Sequence, residues 1–166
     1  MMRAVLRRIL IGLAVAALAL LITAVSPATD SAVRVQVHAA GISKTTSRRI
    51  SMGDRVTAFA MRFRGNPYKY GGTSLTKGAD CSGFVMQIYR HFGVRLPRTS
   101  RAMRKAGFKV RSLRKAAPGD ILCYKGHVAI YLGRNYIIHA SSPKKGICVG
   151  KNARYKKIIT IRRIFK

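Results

Sequence analysis

Apolar residues change their spacing once along this chain. In the first half they recur every three or four positions, and from about residue 121 they form short runs or alternate with polar residues. Met52, Val56, Phe59, Ala60 and Phe63 fall on one helical face, and Gly65 and Pro67 end that helix. Phe84, Val85, Ile88 and Phe92 repeat the pattern behind Cys81, with Asp80 where an N-cap belongs and Gly93 as the stop. Leu96-Pro97-Arg98-Thr99-Ser100 reads as a turn leading into a short helix through about Ala106. Pro118-Gly119-Asp120 is a further turn. Strands are expected over 121–124, 127–132, 136–140, 147–149 and 158–164, with turn residues between them. Helices first and an antiparallel meander second predict an α+β fold. There is no internal repeat.

The N-terminal end has a different character. Arg3, Arg7 and Arg8 precede an uncharged apolar run of 17 residues from Ile9 to Val25. A basic segment followed by an apolar one is the pattern of an export signal. Ser26-Pro27-Ala28 supplies small residues for cleavage after Ala28, and an uncleaved membrane anchor is the competing reading. Either places the remaining chain outside the cytoplasm, since the arginines stay inside. Residues 29–50 read as a linker without clear periodicity, and residues 51–166 as the folded domain.

Charge narrows the choice of partners. The chain has 33 Lys and Arg against four aspartates and no glutamate, for a net charge of +29, of which +26 remains beyond residue 28. Such a field attracts polyanions. For an exported protein these are anionic cell-wall polymer or a membrane surface. Nucleic acid is not the expected partner, since the interleaved basic and aromatic motif of an RNA-reading sheet is missing.

The chemistry centres on Asp80-Cys81-Ser82-Gly83. A cysteine in the first turn of a helix meets unpaired backbone N–H groups and the positive end of the macrodipole, which favour the thiolate. His127 and His139 follow on expected strands. If Gly133-Arg134-Asn135 is a three-residue loop, Leu132 pairs with Tyr136, Ala129 faces His139, and His127 is its diagonal neighbour on the same sheet face. A two-residue loop would put the two histidines on opposite faces unless a bulge intervenes. A cysteine at a helix start with histidines on strands is the outline of a papain-like thiol nucleophile. Cys123 and Cys148 lie in apolar runs and read as buried small residues, with a disulfide between them as the alternative. No ligand spacing suggests a metal site, and no cofactor is called for.

The ordered set Pro67-Tyr68-Lys69-Tyr70-Gly71-Gly72, Asp80-Cys81-Ser82-Gly83-Phe84, Leu96-Pro97-Arg98-Thr99-Ser100, Pro118-Gly119-Asp120, Gly126-His127-Val128-Ala129-Ile130-Tyr131 and His139-Ala140 resembles the NlpC and p-sixty family of bacterial cell-wall cysteine peptidases. The resemblance spans roughly residues 52–166. It implies a papain-like α+β fold and hydrolysis of peptidoglycan stem peptides, in many members at the γ-D-glutamyl–diamino acid bond and in others at the cross-link. By motif position, Cys81 is the expected nucleophile, His127 its base and His139 the residue that orients the base. Tyr68, Asp80 and Ser82 match positions that line the nucleophile or hold substrate. The chain departs from the pattern at Ala102-Met103, where members often carry glutamine, and at Tyr155-Lys156, where an aromatic pair is usual. Two rival readings are a papain-like amidase or acyltransferase with the same dyad, and a non-catalytic basic polymer-binding protein.

Overall fold

The computed structural model describes residues 49–166. The expected export segment and most of the expected linker lie outside them. Helix α1 spans Met52–Met61 and starts with a reciprocal cap. The Ser51 hydroxyl accepts from the Asp54 N–H, and the Asp54 carboxylate accepts from the Ser51 backbone. Two-residue strands β1 (Thr73–Ser74) and β2 (Gly78–Ala79) form a small hairpin that leads into helix α2 (Cys81–His91). The segment expected to be a third helix is a single 3-10 turn, Ala102–Lys105, whose Met103 is fully buried.

The main sheet contains β3 (Phe108–Val110), β4 (Ile121–Tyr124), β5 (His127–Gly133), β6 (Tyr136–Ser142), β7 (Gly146–Gly150) and β8 (Ile158–Arg163). Its strand order is β3-β8-β4-β5-β6-β7, antiparallel throughout. The expected meander therefore covers β4 to β7 only. The chain then returns across the sheet, and β8 inserts between β3 and β4. Arg163 anchors this return with a two-pronged ion pair to buried Asp120, at 2.8 Å for each contact.

Strand parity gives the sheet two faces. Ile121, Cys123, Val128, Ile130, Ile138, Ala140 and Ile147 join Phe84, Val85, Ile88 and Tyr89 of α2 in the main core. Leu122, Tyr124, Ala129, Tyr131, Ile137 and Ile161 form a second cluster closed by Ala153. The Tyr89 hydroxyl donates to the Gly119 carbonyl and ties α2 to the turn before β4. Among the described residues, no helix is long and apolar enough to cross a membrane.

Cys123 and Cys148 are free thiols. They sit on β4 and β7, three strands apart in the sheet. At about 4.8 Å per strand this exceeds the reach of a disulfide twofold, which decides against the pairing.

Candidate active site

Asp80 organises the start of α2. It is the N-cap, and its Oδ1 accepts the Gly83 N–H at 2.7 Å and the Ser82 hydroxyl at 3.1 Å. Its Oδ2 accepts the Gly71 N–H at 3.1 Å. Arg98 grips both oxygens, at 3.0 and 2.7 Å, and also donates to the Ser82 hydroxyl at 3.0 Å. Burial alone would raise the Asp80 carboxyl. The bonds from Arg98, Gly83 and Ser82 outweigh it and hold the group below its ordinary range.

The glycine loop fits closely against this turn. The Asp80 N–H donates to the Gly72 carbonyl at 3.0 Å, and a Cβ on Gly83 would overlap that carbonyl. Gly71 has φ +71°, a conformation that glycine adopts without strain. The two glycines thus let loop backbone lie directly beside the nucleophile turn.

Cys81 follows the cap and is 9% exposed. Backbone N–H groups of Val128, Ser82 and Cys81 itself converge on its sulfur and favour the thiolate. Burial is the larger effect and the Asp80 charge adds to it, so the resting thiol is pushed up. The helix start therefore acts in the direction expected from sequence and is outweighed by desolvation.

The two histidines meet on the sheet face opposite α2. His127 Nε2 lies 2.7 Å from His139 Nδ1, and both rings are buried. The hairpin achieves this through a bulge and not through a three-residue loop. Gly133 pairs with Tyr136 across a two-residue turn, Arg134-Asn135, whose φ values of 48° and 68° are those of a primed turn. Tyr131 then pairs with Ile137 and Ile130 with Ile138, so Leu132 is an extra, bulged residue. The bulge restores the even register, and its continuation sets fully buried Ala129 level with His139. Burial lowers both imidazoles to about 4. For His127, the His139 ring and Lys156 add to the effect; for His139, Lys145 and Lys156 do. Both rings are neutral at neutral pH.

Tyr155 packs edge-on to His127, His139 and Tyr124, with ring centroids 6.3, 5.7 and 5.2 Å away. Its segment is tied down where the Tyr124 hydroxyl donates to the Ala153 carbonyl at 2.8 Å. Tyr68 is half-buried, and its phenol is raised by burial first, then by the neighbouring Cys81 and Asp80.

The six residues expected at the site thus form two groups. Tyr68, Asp80, Ser82 and Cys81 gather at the α2 start, and His127 and His139 pair on β5 and β6. The Val128 N–H, one residue after His127, lies near enough to the Cys81 sulfur to favour its thiolate. Asp80 and Ser82 use their polar atoms on each other and on Arg98. Arg98 and Tyr155 were not singled out as site residues from sequence. Arg98 stood in a motif whose partner lies 18 positions away, and no local pattern signals that pairing. Among the described residues, no set of His, Cys and Asp side chains is gathered to hold a metal ion.

Comparison with known proteins agrees with this geometry. The model of the NlpC/P60 family matches residues 65–162. The murein DD-endopeptidase MepS/murein LD-carboxypeptidase of Escherichia coli (strain K12) is 31% identical over 92% of this chain and 90% of its own length. The probable endopeptidase NlpC homolog of Haemophilus influenzae is 32% identical, over 60% of this chain and 55% of that protein. Among solved structures, the NlpC/p60 domain of the peptidoglycan hydrolase SagA aligns with a TM-score of 0.62 at 31% identity, over 69% of this chain and all of that one. The peptidoglycan hydrolase RipB of Mycobacterium tuberculosis aligns with a TM-score of 0.60 at 28% identity, over 69% of this chain and 67% of its own. With its nucleophile turn, its paired histidines and the extent of these matches, the chain belongs to the NlpC/P60 family.

Proposed function

We propose that this chain is a cysteine endopeptidase that hydrolyses the stem peptides of peptidoglycan in the bacterial cell envelope. The observation that carries the reading is the 2.7 Å contact between His127 and His139, next to a cysteine held at a helix start. The relatives named as murein endopeptidases and peptidoglycan hydrolases support the substrate class.

The mechanism follows from the tautomers. His127 Nε2 faces His139 Nδ1, which leaves Nδ1 of His127 for the thiol. For Nδ1 to accept a proton, the neutral ring must carry its hydrogen on Nε2 and donate it to His139. His139 therefore fixes the productive tautomer without changing its own charge. Cys81 passes its proton to His127 as the sulfur bonds to the peptide carbonyl carbon. The backbone N–H groups around the sulfur, including that of Cys81, hold the oxyanion. The carbon–nitrogen bond breaks, and His127 protonates the departing amine. Water then attacks the thioester, gives one proton to His127 and releases the acid, and Cys81 recovers its proton. Tyr68 lines the acyl side. Asp80, Ser82 and Arg98 hold the turn in place.

The γ-D-glutamyl–diamino acid bond is the expected target. Mass spectrometry of muropeptides before and after treatment identifies the bond. New amine and carboxylate ends within the stem are expected, whereas a carboxamide hydrolysed to a carboxylate with the stem uncut, or an acyl transfer product, would show an amidase or transferase instead.

The neutral histidines set the pH behaviour. His127 must be unprotonated in the free enzyme, so the acid limb of kcat/KM is expected near pH 4, well below the ordinary histidine value of about 6.5. Folding is linked to the same groups. Between about pH 6.5 and 4 the unfolded chain binds protons that the buried rings refuse, so stability falls as pH drops through that window. Both limbs can be followed in one pH series by activity and thermal melting.

Residues 1–28 are proposed to direct export or to anchor the chain, residues 29–50 to link, and residues 51–166 to form the catalytic domain. The basic surface is proposed to hold the enzyme on anionic wall polymer or membrane through many weak contacts. Sacculus binding should weaken as salt shortens the Debye length, while turnover of a small soluble stem peptide changes much less. Binding that is indifferent to salt would point to a shaped recognition site in place of charge.

A further inference from the structure

The general acid fixes which way a substrate lies. His127 protonates the departing amine, so the leaving fragment extends over the histidine side of Cys81, and the acyl fragment lies toward Tyr68 and Gly71. On the histidine side a cleft of about 520 Å³ opens beside His139, between β6, β7 and Tyr155. Its walls carry Lys145 and Lys151, both exposed, together with Ser141 and Asn152. The same two lysines continue along β7 into an adjoining cleft that also contains Arg64.

Among the described residues, these cations have no acidic partner in the cleft. The three carboxylate side chains of the described residues are committed elsewhere: Asp54 to the α1 cap, Asp80 to Arg98 and Asp120 to Arg163. The Lys145 charge is close enough to depress His139. A cleft of uncompensated positive charge beside His139, the partner of the general acid, is suited to an anion.

We propose that the cleft bounded by Lys145 and Lys151 binds a free carboxylate on the leaving fragment of the stem peptide. The inference rests on the hydrolase reading above and gives it a selectivity. For either stem bond considered, the released amine belongs to the diamino acid, and that fragment carries a free carboxylate. Lysine and asparagine side chains would receive it through charge-assisted hydrogen bonds.

The test uses the full-length chain and two soluble muropeptide substrates, one with free carboxylates on the leaving fragment and one with the same groups converted to carboxamides. Three proteins are compared: wild type, Lys145→Gln/Lys151→Gln, and the control Lys109→Gln/Arg111→Gln. The control removes the same two charges around β3, at the opposite edge of the sheet. The cleft variant is expected to raise KM for the carboxylate substrate roughly tenfold or more, with kcat changed far less, as for loss of a charge-assisted contact made before the chemical step. On the carboxamide substrate the penalty should shrink to about twofold or less, since no charge is left to recognise. Equal penalties on both substrates would overturn the proposal, as would no penalty at all. So would an equal loss in the control, which would show general attraction for polyanions. A wild-type enzyme that cleaves neither substrate would remove the hydrolase reading itself, whereas normal wild-type cleavage with an unaffected cleft variant removes only this inference.

Discussion

Cys81→Ala is expected to reduce muropeptide cleavage to background, a loss on the order of 10⁴-fold or more, with the fold intact. The substitution removes the thiol at the start of α2 and keeps everything that builds that start. Asp80 still caps, Arg98 still bridges, and alanine is a strong helix former. Cys81→Ser should be nearly as inactive, because burial that already raises a thiol penalises an alkoxide far more. Equal melting temperatures with lost turnover would separate chemistry from folding. Full activity in Cys81→Ala would end the nucleophile assignment. Thiol labelling is a weak discriminator of Cys81. Cys123 is fully buried and raised to about 11, but Cys148 is half-buried and competes with the resting, desolvated Cys81 for reagent.

His127→Ala should cost almost as much as losing Cys81, since base and nucleophile act as one unit. His139→Ala should cost less, perceptibly in kcat, because it removes an acceptor that selects a tautomer and no proton carrier. His139→Asn or His139→Gln should recover part of that loss by supplying another acceptor to Nε2 of His127. A His139→Ala enzyme with wild-type turnover would reduce His139 to a packing residue. Each replacement also removes a buried neutral ring, so acid stability should improve in the same variants that lose activity. That pairing of effects distinguishes a working site from simple structural damage.

Much of this was legible in the chain itself. The nucleophile helix could be bounded from Asp80, the apolar spacing and Gly93, because caps and periodicity are local signals, and it spans Cys81–His91. The glycine pair could be seen as a close backbone approach for the same reason. What escaped was nonlocal. Strand β3 is three residues long with Phe108 half exposed, too short for a pattern. The return of β8 to β4 depends on Ile161 packing near Leu122 and on Arg163 reaching Asp120. The grip of Arg98 on Asp80 depends on a loop path that no periodicity encodes. The direction of the Cys81 shift is not legible in the sequence, because a helix start is visible there and the depth of burial is not.

The bulge at Leu132 makes the β5–β6 hairpin behave like a reading frame. One residue removed there would give a more regular ladder and a tidier strand. It would also turn every side chain upstream of the deletion, His127 included, to the other side of the sheet. Insertions in the Arg134-Asn135 turn would be tolerated only where they leave that frame unchanged. Length at this hairpin is therefore constrained as tightly as identity at Cys81, and an irregularity that weakens the sheet is what keeps the catalytic pair in phase.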